Sequence, residues 1–475
     1  MTMKLGVQEE PAIYKVLLET AGGARNAISD LVVSNVAQTI PIGSGEFDYI
    51  DIGSVNNLTK QIEAPKRLPC SEAPSRARQR VQAGDVLVSM TRPNLNAVAL
   101  VPHALNGATA STGFHVLRAG TTAEPAWLFY AVQSPQFVGA MSELVQGALY
   151  PAVRPKDIRA FSLFVPPKVA QREVVAYLDE QLSRLDASVA ALHRVQANLK
   201  RYRASVLKSA CEGRLVPTEA ELARQEGRSF ETGAELLQRI LAERKRAWMG
   251  KRSYVEPDPV ASEEQAPVPD GWAWAALDEL AWHSSYGTSA KCSPTATGAA
   301  VLRIPNVDRG NIDTTNMKYS AETLDAESTA ALKAGDMLII RTNGSKALIG
   351  RGAIVQAPFS APTTFASYLI RFRLVREIHQ EWLGLFWQSP ESRGWIEARA
   401  STSAGQHNVS MSVLATAPVP LPPLAEQHRI VAEADRRLSL VRVAEAQVSA
   451  NLARAQRLRQ SILQAAFTMP AQAGQ

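Results

Sequence analysis

The stretch "FVPPKVAQREVVAYLDEQLSRL" at 164–185 returns in altered form as "PLPPLAEQHRIVAEADRRLSL" at 420–440. Set against each other at a constant shift of 256, residues 165–210 and 421–466 align without a gap. Fifteen of the 46 pairs are identical, among them Pro166, Pro167, Gln171, Asp179, Leu182, Arg203 and Ala210. So long an ungapped register marks an internal duplication. The echo continues upstream: "AGDVLVSMT" at 83–91 answers "AGDMLIIRT" at 334–342, and "WLFYAVQSP" at 127–135 answers "WLGLFWQSP" at 382–390. More loosely, "YIDIGSVNN" at 49–57 answers "VLRIPNVDR" at 301–309. The chain therefore reads A–B–A′–B′, with identity in the A units confined to short islands.

The B units carry the strongest local signal. Leu178, Leu185, Leu192, Leu199 and Val206 recur every seven residues, with Leu182, Val189, Gln196 and Arg203 between them. That alternation of four and three is a coiled-coil seam. Its second copy holds Ala434, Val441, Val448, Ala455 and Ile462, interleaved with Leu438, Glu445, Leu452 and Arg459. Large residues in one copy and smaller ones in the other suit an antiparallel pair, which would place Gln196 near Glu445. At 1.5 Å per residue, some 40 helical residues make a rod of roughly 60 Å.

In the A units, "DVLVSM" and "DMLIIRT" read as strands after an Ala-Gly-Asp turn, and "PAWLFYAVQS" and "HQEWLGLFWQS" as short helices with an aromatic inner face. "FSLFVPP" and "APVPLPP" read as last strands entering B. The class is mixed α/β (α+β): two similar globular domains separated by two long helices, related by a pseudo-two-fold repeat. The expected organisation is a first domain at 1–165, a long helix at 166–215, a helical extension and linker at 216–268, a second domain at 269–420 and a distal helix at 421–475. Within the extension, "TGAELLQRILAERKRAW" should form a helix beside the rod, and "VEPDPVASEEQAPVPDG" a linker without a core of its own.

Composition sets the bounds. With 475 residues, 46% hydrophobic and 20% charged, the chain is a folded protein of more than one domain. A net charge of +6 is mildly basic and only compatible with a polyanionic partner. Cys70, Cys211 and Cys292 are far apart, and the seven histidines do not cluster with them, so buried thiols in a reducing cytoplasm are expected rather than a disulfide framework or metal site. The first 23 residues lack the apolar core of a secretory signal, and no apolar run is long enough to span a membrane.

A Pro-Pro after an apolar run also occurs in amino-methyltransferases, where an Asn, Asp or Ser before it holds the target amine and an aromatic after it stacks on the flipped base. Here Val165 and Leu421 precede, and Lys168 and Leu424 follow, so neither group is present. A helix start explains the prolines better: a first-turn proline gives up an N–H that would be unpaired anyway, and Gln171, Glu426 and Gln427 sit where they can reach free N–H groups. Glycine-rich phosphate or dinucleotide loops and a Gly-x-Ser-x-Gly elbow are missing. "ERK" at 243–245 matches the tail of a nuclease motif but has no acidic partner upstream.

Diverged α/β units, each followed by a Pro-Pro junction and a heptad helix, together resemble the specificity subunit of type I restriction–modification systems. "PPLAEQ", "AGDMLIIRT", "GQHNVSMSVL", "KSACEGRLVP" and "PVPDGWAWAALDELA" carry the resemblance over nearly the whole chain. The first copy departs from it, with Ala170 where the second has Glu426 and no match to "DGWAW". The resemblance implies a non-catalytic, cytoplasmic DNA reader whose two target-recognition domains each take half of a bipartite, asymmetric site. Its helices would hold the two domains apart and dock two modification subunits. The partners would carry S-adenosylmethionine and methylate adenine, and a restriction subunit with motor activity would join them.

Candidate DNA contacts follow from side-chain chemistry, since Arg pairs with guanine and Asn or Gln with adenine. They are Arg76, Arg78 and Arg80, then Arg92, Asn94 and Asn96, with Tyr150 and Arg154, in the first domain. In the second they are Arg341, Asn343, Ser345 and Lys346, with Gln406, His407 and Asn408. Each has a plainer reading as solvated loop, phosphate contact or turn. Duplication with a coiled coil also permits a different class of protein, a helical scaffold or adaptor whose globular ends bind protein.

Overall fold

A computed structural model describes residues 23–145, 147, 151–248, 253–261, 266–308, 310–403 and 405–468. The chain divides into two compact units, Met1–Arg194 with Val448–Gln475, and Val195–Gln447. The mixed α/β class holds, with two strand-rich domains and two long helices, Lys168–Cys211 and Leu424–Phe467.

In the first unit the strand Ala24–Ala27 pairs antiparallel with Ser162–Val165. An antiparallel sheet follows the order Phe114–Leu117, Val86–Ser89, Val98–Leu100. A second sheet orders Lys66–Pro69, Glu46–Ile50, Thr109–Ser111, Ala77–Arg80, and its two middle strands run parallel. The central pairings recur in the second unit, with different edge strands. Ala273–Ala276 pairs with Pro418–Leu421, Asp336–Ile340 lies between Leu369–Leu374 and Gly352–Ile354, and Ala300–Leu302 runs parallel to Thr363–Phe365. The strand pair at 24–27 shows that the first domain has the opening strand its sequence hid.

The repeated islands mark the joints of the scaffold. In each Ala-Gly-Asp turn the glycine takes φ +86°, and the aspartate accepts the backbone N–H three residues before it: Gln82 on Asp85 at 2.7 Å, Lys333 on Asp336 at 2.9 Å. Each buried aspartate then pairs with an arginine across the sheet, Asp85 with Arg118 at 2.7 Å and Asp336 with Arg373 at 2.9 Å. In the Gln-Ser-Pro islands, Ser134 and Ser389 cap the helices Pro135–Glu143 and Pro390–Arg399, with proline at the first helical position.

The double prolines end a strand and open a helix. Helix begins one residue after them, at Lys168 and Leu424, and the carbonyls of Pro167 and Pro423 accept the first helical N–H groups. The glutamines behave differently from the expectation that they serve nearby first-turn N–H groups. Gln171, fully buried, accepts the N–H of Glu124 at 2.8 Å and donates to the carbonyls of Pro166 and Thr122. Gln427 accepts the N–H of His379 at 2.9 Å and donates to Pro422. Each ties the strand–helix junction to the start of the domain's aromatic helix, Pro125–Ala131 or Gln380–Trp387.

The departure at Ala170 has its reason here. Glu426 is buried and accepts from the Trp272 indole N–H at 2.9 Å and the Glu219 backbone N–H at 2.8 Å. Trp272 stands in "DGWAW", and Glu219 opens the helix Glu219–Glu226. Where the tryptophan has no counterpart, a buried carboxylate would lack its donor, and alanine fills the position at 1% exposure.

Leu178, Leu182 and Val206 on the first helix and Leu438, Val441 and Val448 on the second are buried, while Leu185, Val189, Leu192, Leu199, Leu452 and Ile462 are half-buried. In the first unit Leu178 and Leu182 share a core with Leu463 and Ala466, and Asp186 bonds Arg459 at 2.6 Å, so these segments run antiparallel. In the second unit Val206, Leu207 and Ala210 share a core with Ile430, Ala434 and Leu438. Asp186–Arg459 is a polar contact between the helices, and Gln196 is exposed.

Three expectations are corrected. The helix Gly233–Arg246 does not lie along the rod: Leu236 and Ile240 are buried in the second domain's core with Ala275 and Leu421, and the Gly233 N–H bonds the Gly271 carbonyl at 2.7 Å. A Cβ on Gly233 would fall 2.1 Å from the Leu421 carbonyl oxygen, so only glycine allows this approach. The Pro-rich tract buries Val260 and is tied down by Trp274, whose indole N–H donates to the Ala266 carbonyl. All three cysteines are free, but only Cys211 is buried.

Candidate nucleic-acid interface

In the second domain the two polar tracts, 60 residues apart in sequence, come together. Thr342–Asn343 pairs with Gln406–Asn408, which pairs in turn with Ser401–Ser403, giving a small antiparallel sheet. Gly344, Ser345, Lys346, Gln406 and all of Ser401–Ser403 are exposed, and Asn343, His407 and Asn408 half-exposed. The Asn343 side chain accepts the Ser345 N–H at 2.8 Å, which fixes the turn. His407 Nδ1 meets the Thr402 hydroxyl at 2.9 Å. Among the described residues no cluster of His, Cys, Asp and Glu could hold a metal ion.

Arg341 stands beside this sheet with its guanidinium 4.8 Å from the centre of the Tyr286 ring. Its N–H bonds the Tyr368 carbonyl and its carbonyl accepts the Val409 N–H, both at 2.9 Å. Arg341 Nε and Asn408 Oδ1 are buried without a partner among the described residues. A guanidinium held flat on an aromatic face is oriented before it meets a ligand. Tyr286 and Tyr368, 45% and 53% exposed, belong to the same surface, and sequence reasoning missed both. For Tyr286 the signal was available, since Ser284 and Thr288 flank it in alternation; Tyr368, between Ala366 and Ile370, reads as an ordinary strand residue.

The first domain repeats the frame with other residues. Thr91 bridges Ala152, and the Val153 N–H bonds the Met90 carbonyl at 2.9 Å, as Val409 bonds Arg341. The loop so anchored carries Arg92 and Asn94, both exposed, and Asn96, half-buried, around the short turn Pro93–Leu95. Arg154, exposed, opens the helix Pro155–Ala160. Tyr150 lies outside the described residues. Arg76, Arg78 and Arg80 sit apart from this loop, on or beside the edge strand Ala77–Arg80 of the other sheet. Arg78 is half-buried with Nε donated to the Ser75 carbonyl, whereas Arg76 and Arg80 are exposed.

Lys60 was also missed. It is mostly enclosed, its ammonium donates to the Asn96 carbonyl, and burial together with the nearby Arg459 charge lowers its pKa to about 8. Nothing in "NNLTKQI" distinguishes this lysine from a solvated one.

Each domain thus carries the same hydrogen-bonded frame, and the exposed donors and acceptors on it differ between the two. No protein-family model matches the chain. Its curated relatives are specificity subunits of type I restriction enzymes. It is 24% identical over 429 residues to the EcoKI specificity subunit of Escherichia coli K12, covering 88% of this chain and 82% of that one. The StySPI specificity subunit of Salmonella potsdam matches at 24% over the same shares of the two chains. Among solved structures, a chain from a study of complex assembly and conformational transition in a type I restriction–modification system is similar, with a TM-score of 0.63 and 24% identity over 94% of this chain and 98% of that one. That likeness is one of fold.

Proposed function

We propose that this chain is the DNA-reading specificity subunit of a type I restriction–modification complex. Each strand-rich domain reads one half of a bipartite, asymmetric duplex site. The observation that carries this reading is the contrast within the repeat: hydrogen-bonded frames at 90/153 and 341/409 are the same, whereas the exposed loops they anchor differ. Identical frames with different donors and acceptors suit half-sites of different sequence. The chain itself performs no chemistry. Two modification subunits dock on it, carry S-adenosylmethionine and methylate adenine, and a restriction/translocase subunit completes the complex in the cytoplasm. Among the described residues no helix is long and apolar enough to cross a membrane.

The test is to co-express the chain with its modification subunit and map methylated adenines. A split motif of two short halves is expected. Exchanging residues 270–420 for those of a relative should replace one half and leave the other. An exchange that altered both halves would refute reading by separate domains, and salt-insensitive binding to duplex would favour the adaptor instead.

A further inference from the structure

Three non-glycine residues among those described hold a positive φ, Lys60 at 60°, Arg92 at 49° and Asn96 at 46°. All three meet in one place in the first domain. Arg92 and Asn96 bound the turn Pro93–Leu95, and the Lys60 ammonium donates to the Asn96 carbonyl. Left-handed backbone is costly beneath a side chain and persists only where the surroundings over-determine it, which happens chiefly at functional sites. Here the restraints are visible: the Arg92 N–H bonds the Pro151 carbonyl at 2.9 Å, the Asn96 N–H bonds the Pro93 carbonyl at 3.0 Å, and Pro93 is buried beneath the turn. What the turn sets outward is Arg92 and Asn94, whose side chains bond nothing among the described residues.

Lys60 is placed at a disadvantage. Its acceptor is a carbonyl rather than a carboxylate, it is largely enclosed, and the charge acting on it is the like charge of Arg459 on the second long helix. Both effects lower its pKa to about 8, so its placement opposes the charge it carries at neutral pH. The second domain needs no such clamp: its loop is fixed by the Asn343 side chain, and among its described residues only glycines take positive φ.

We infer that Lys60 is a positioning residue for the first half-site, its bond to the Asn96 carbonyl holding residues 92–96 in the conformation that points Arg92 and Asn94 at bases. This rests on the chain being a DNA reader. The experiment uses the full chain with its modification subunits and maps methylation, the half-site that survives exchange of residues 270–420 being the one to follow. Lys60→Met is expected to raise methylation at sites mismatched in that half by roughly ten-fold relative to matched sites, with the other half changed by less than about two-fold. Lys60→Arg, which keeps a cationic donor, should restore discrimination. Lys60→Gly keeps the left-handed backbone at little cost but has no donor, so it should behave like Lys60→Met and carries the test if that variant folds poorly. The inference is overturned if Lys60→Gly discriminates as the unmodified chain does, or if Lys60→Met blurs both halves equally or neither. A parent complex that methylates no split site refutes the DNA-reading function itself, so the two failures are distinct.

Discussion

Arg341 concentrates what a single residue can do here. Its guanidinium lies over Tyr286, its main chain is pinned at both ends, and its Nε has no partner among the described residues. Arg341→Ala is expected to relax discrimination at one base pair of the second domain's half-site by about 1–3 kcal/mol. Competition binding with singly substituted duplexes measures it, and equal losses on all duplexes would mean a phosphate contact instead. His115 makes a different prediction. It accepts a hydrogen bond from Arg159 Nε at 3.1 Å, and burial with that neighbouring charge holds its pKa down to about 4. Because the unfolded histidine binds its proton near pH 6.5 and the folded one only near pH 4, stability is lost as pH falls through that window, by about 2 kcal/mol at pH 4.5. Burial lowers the pKa of His283 and His379 as well, so the comparison that isolates His115 is urea unfolding of His115→Gln against the parent at pH 7 and 4.5, where the variant should lose less. At this scale the sequence was only partly legible. Arg341 and Gln406–Asn408 stood out by side-chain chemistry. The roles of Gln171 and Lys60 did not, because their partners, Glu124 and Asn96, are 47 and 36 residues distant.

Among the elements, the long helices were the most legible, since a seven-residue period declares itself without knowledge of the partner. The period nevertheless overstated how evenly the seam is buried. Leu178 is fully buried, whereas Val189 and Leu199 are only half-buried. Leu178→Ala should therefore cost about 3 kcal/mol, while Leu199→Ala should cost about 1 kcal/mol. Equal shifts of the urea midpoint in the two variants would contradict this uneven burial. The helix Gly233–Arg246 was read correctly as a helix and wrongly placed. An amphipathic face announces that it needs a partner but does not say which, and the rod and the domain core offered equally apolar surfaces. What settled the matter was the close backbone approach at Gly233, a feature no periodicity carries.

At the scale of the whole chain, duplication was the property easiest to see, and it explains which parts resisted reading. The identical islands are the turns, caps and junctions that recur in both domains, while the tracts between them gave no cross-check because each is used once. A binding experiment addresses the chain as a whole. The logarithm of duplex affinity should fall linearly with the logarithm of salt concentration, each phosphate contact adding about −0.9 to the slope. Lys346→Gln should make that slope shallower by about one contact without changing sequence preference, as befits an exposed lysine whose own carbonyl is already taken by Arg393.

The glutamine junctions carry one last consequence. Among the described residues, the side chains of Gln171 and Gln427 hydrogen-bond main-chain N–H and carbonyl groups. A latch that grips backbone is indifferent to which side chains hang from it. Foreign loops could therefore be grafted between latch and latch as interchangeable cassettes, the glutamine being the one fitting that every insert must meet.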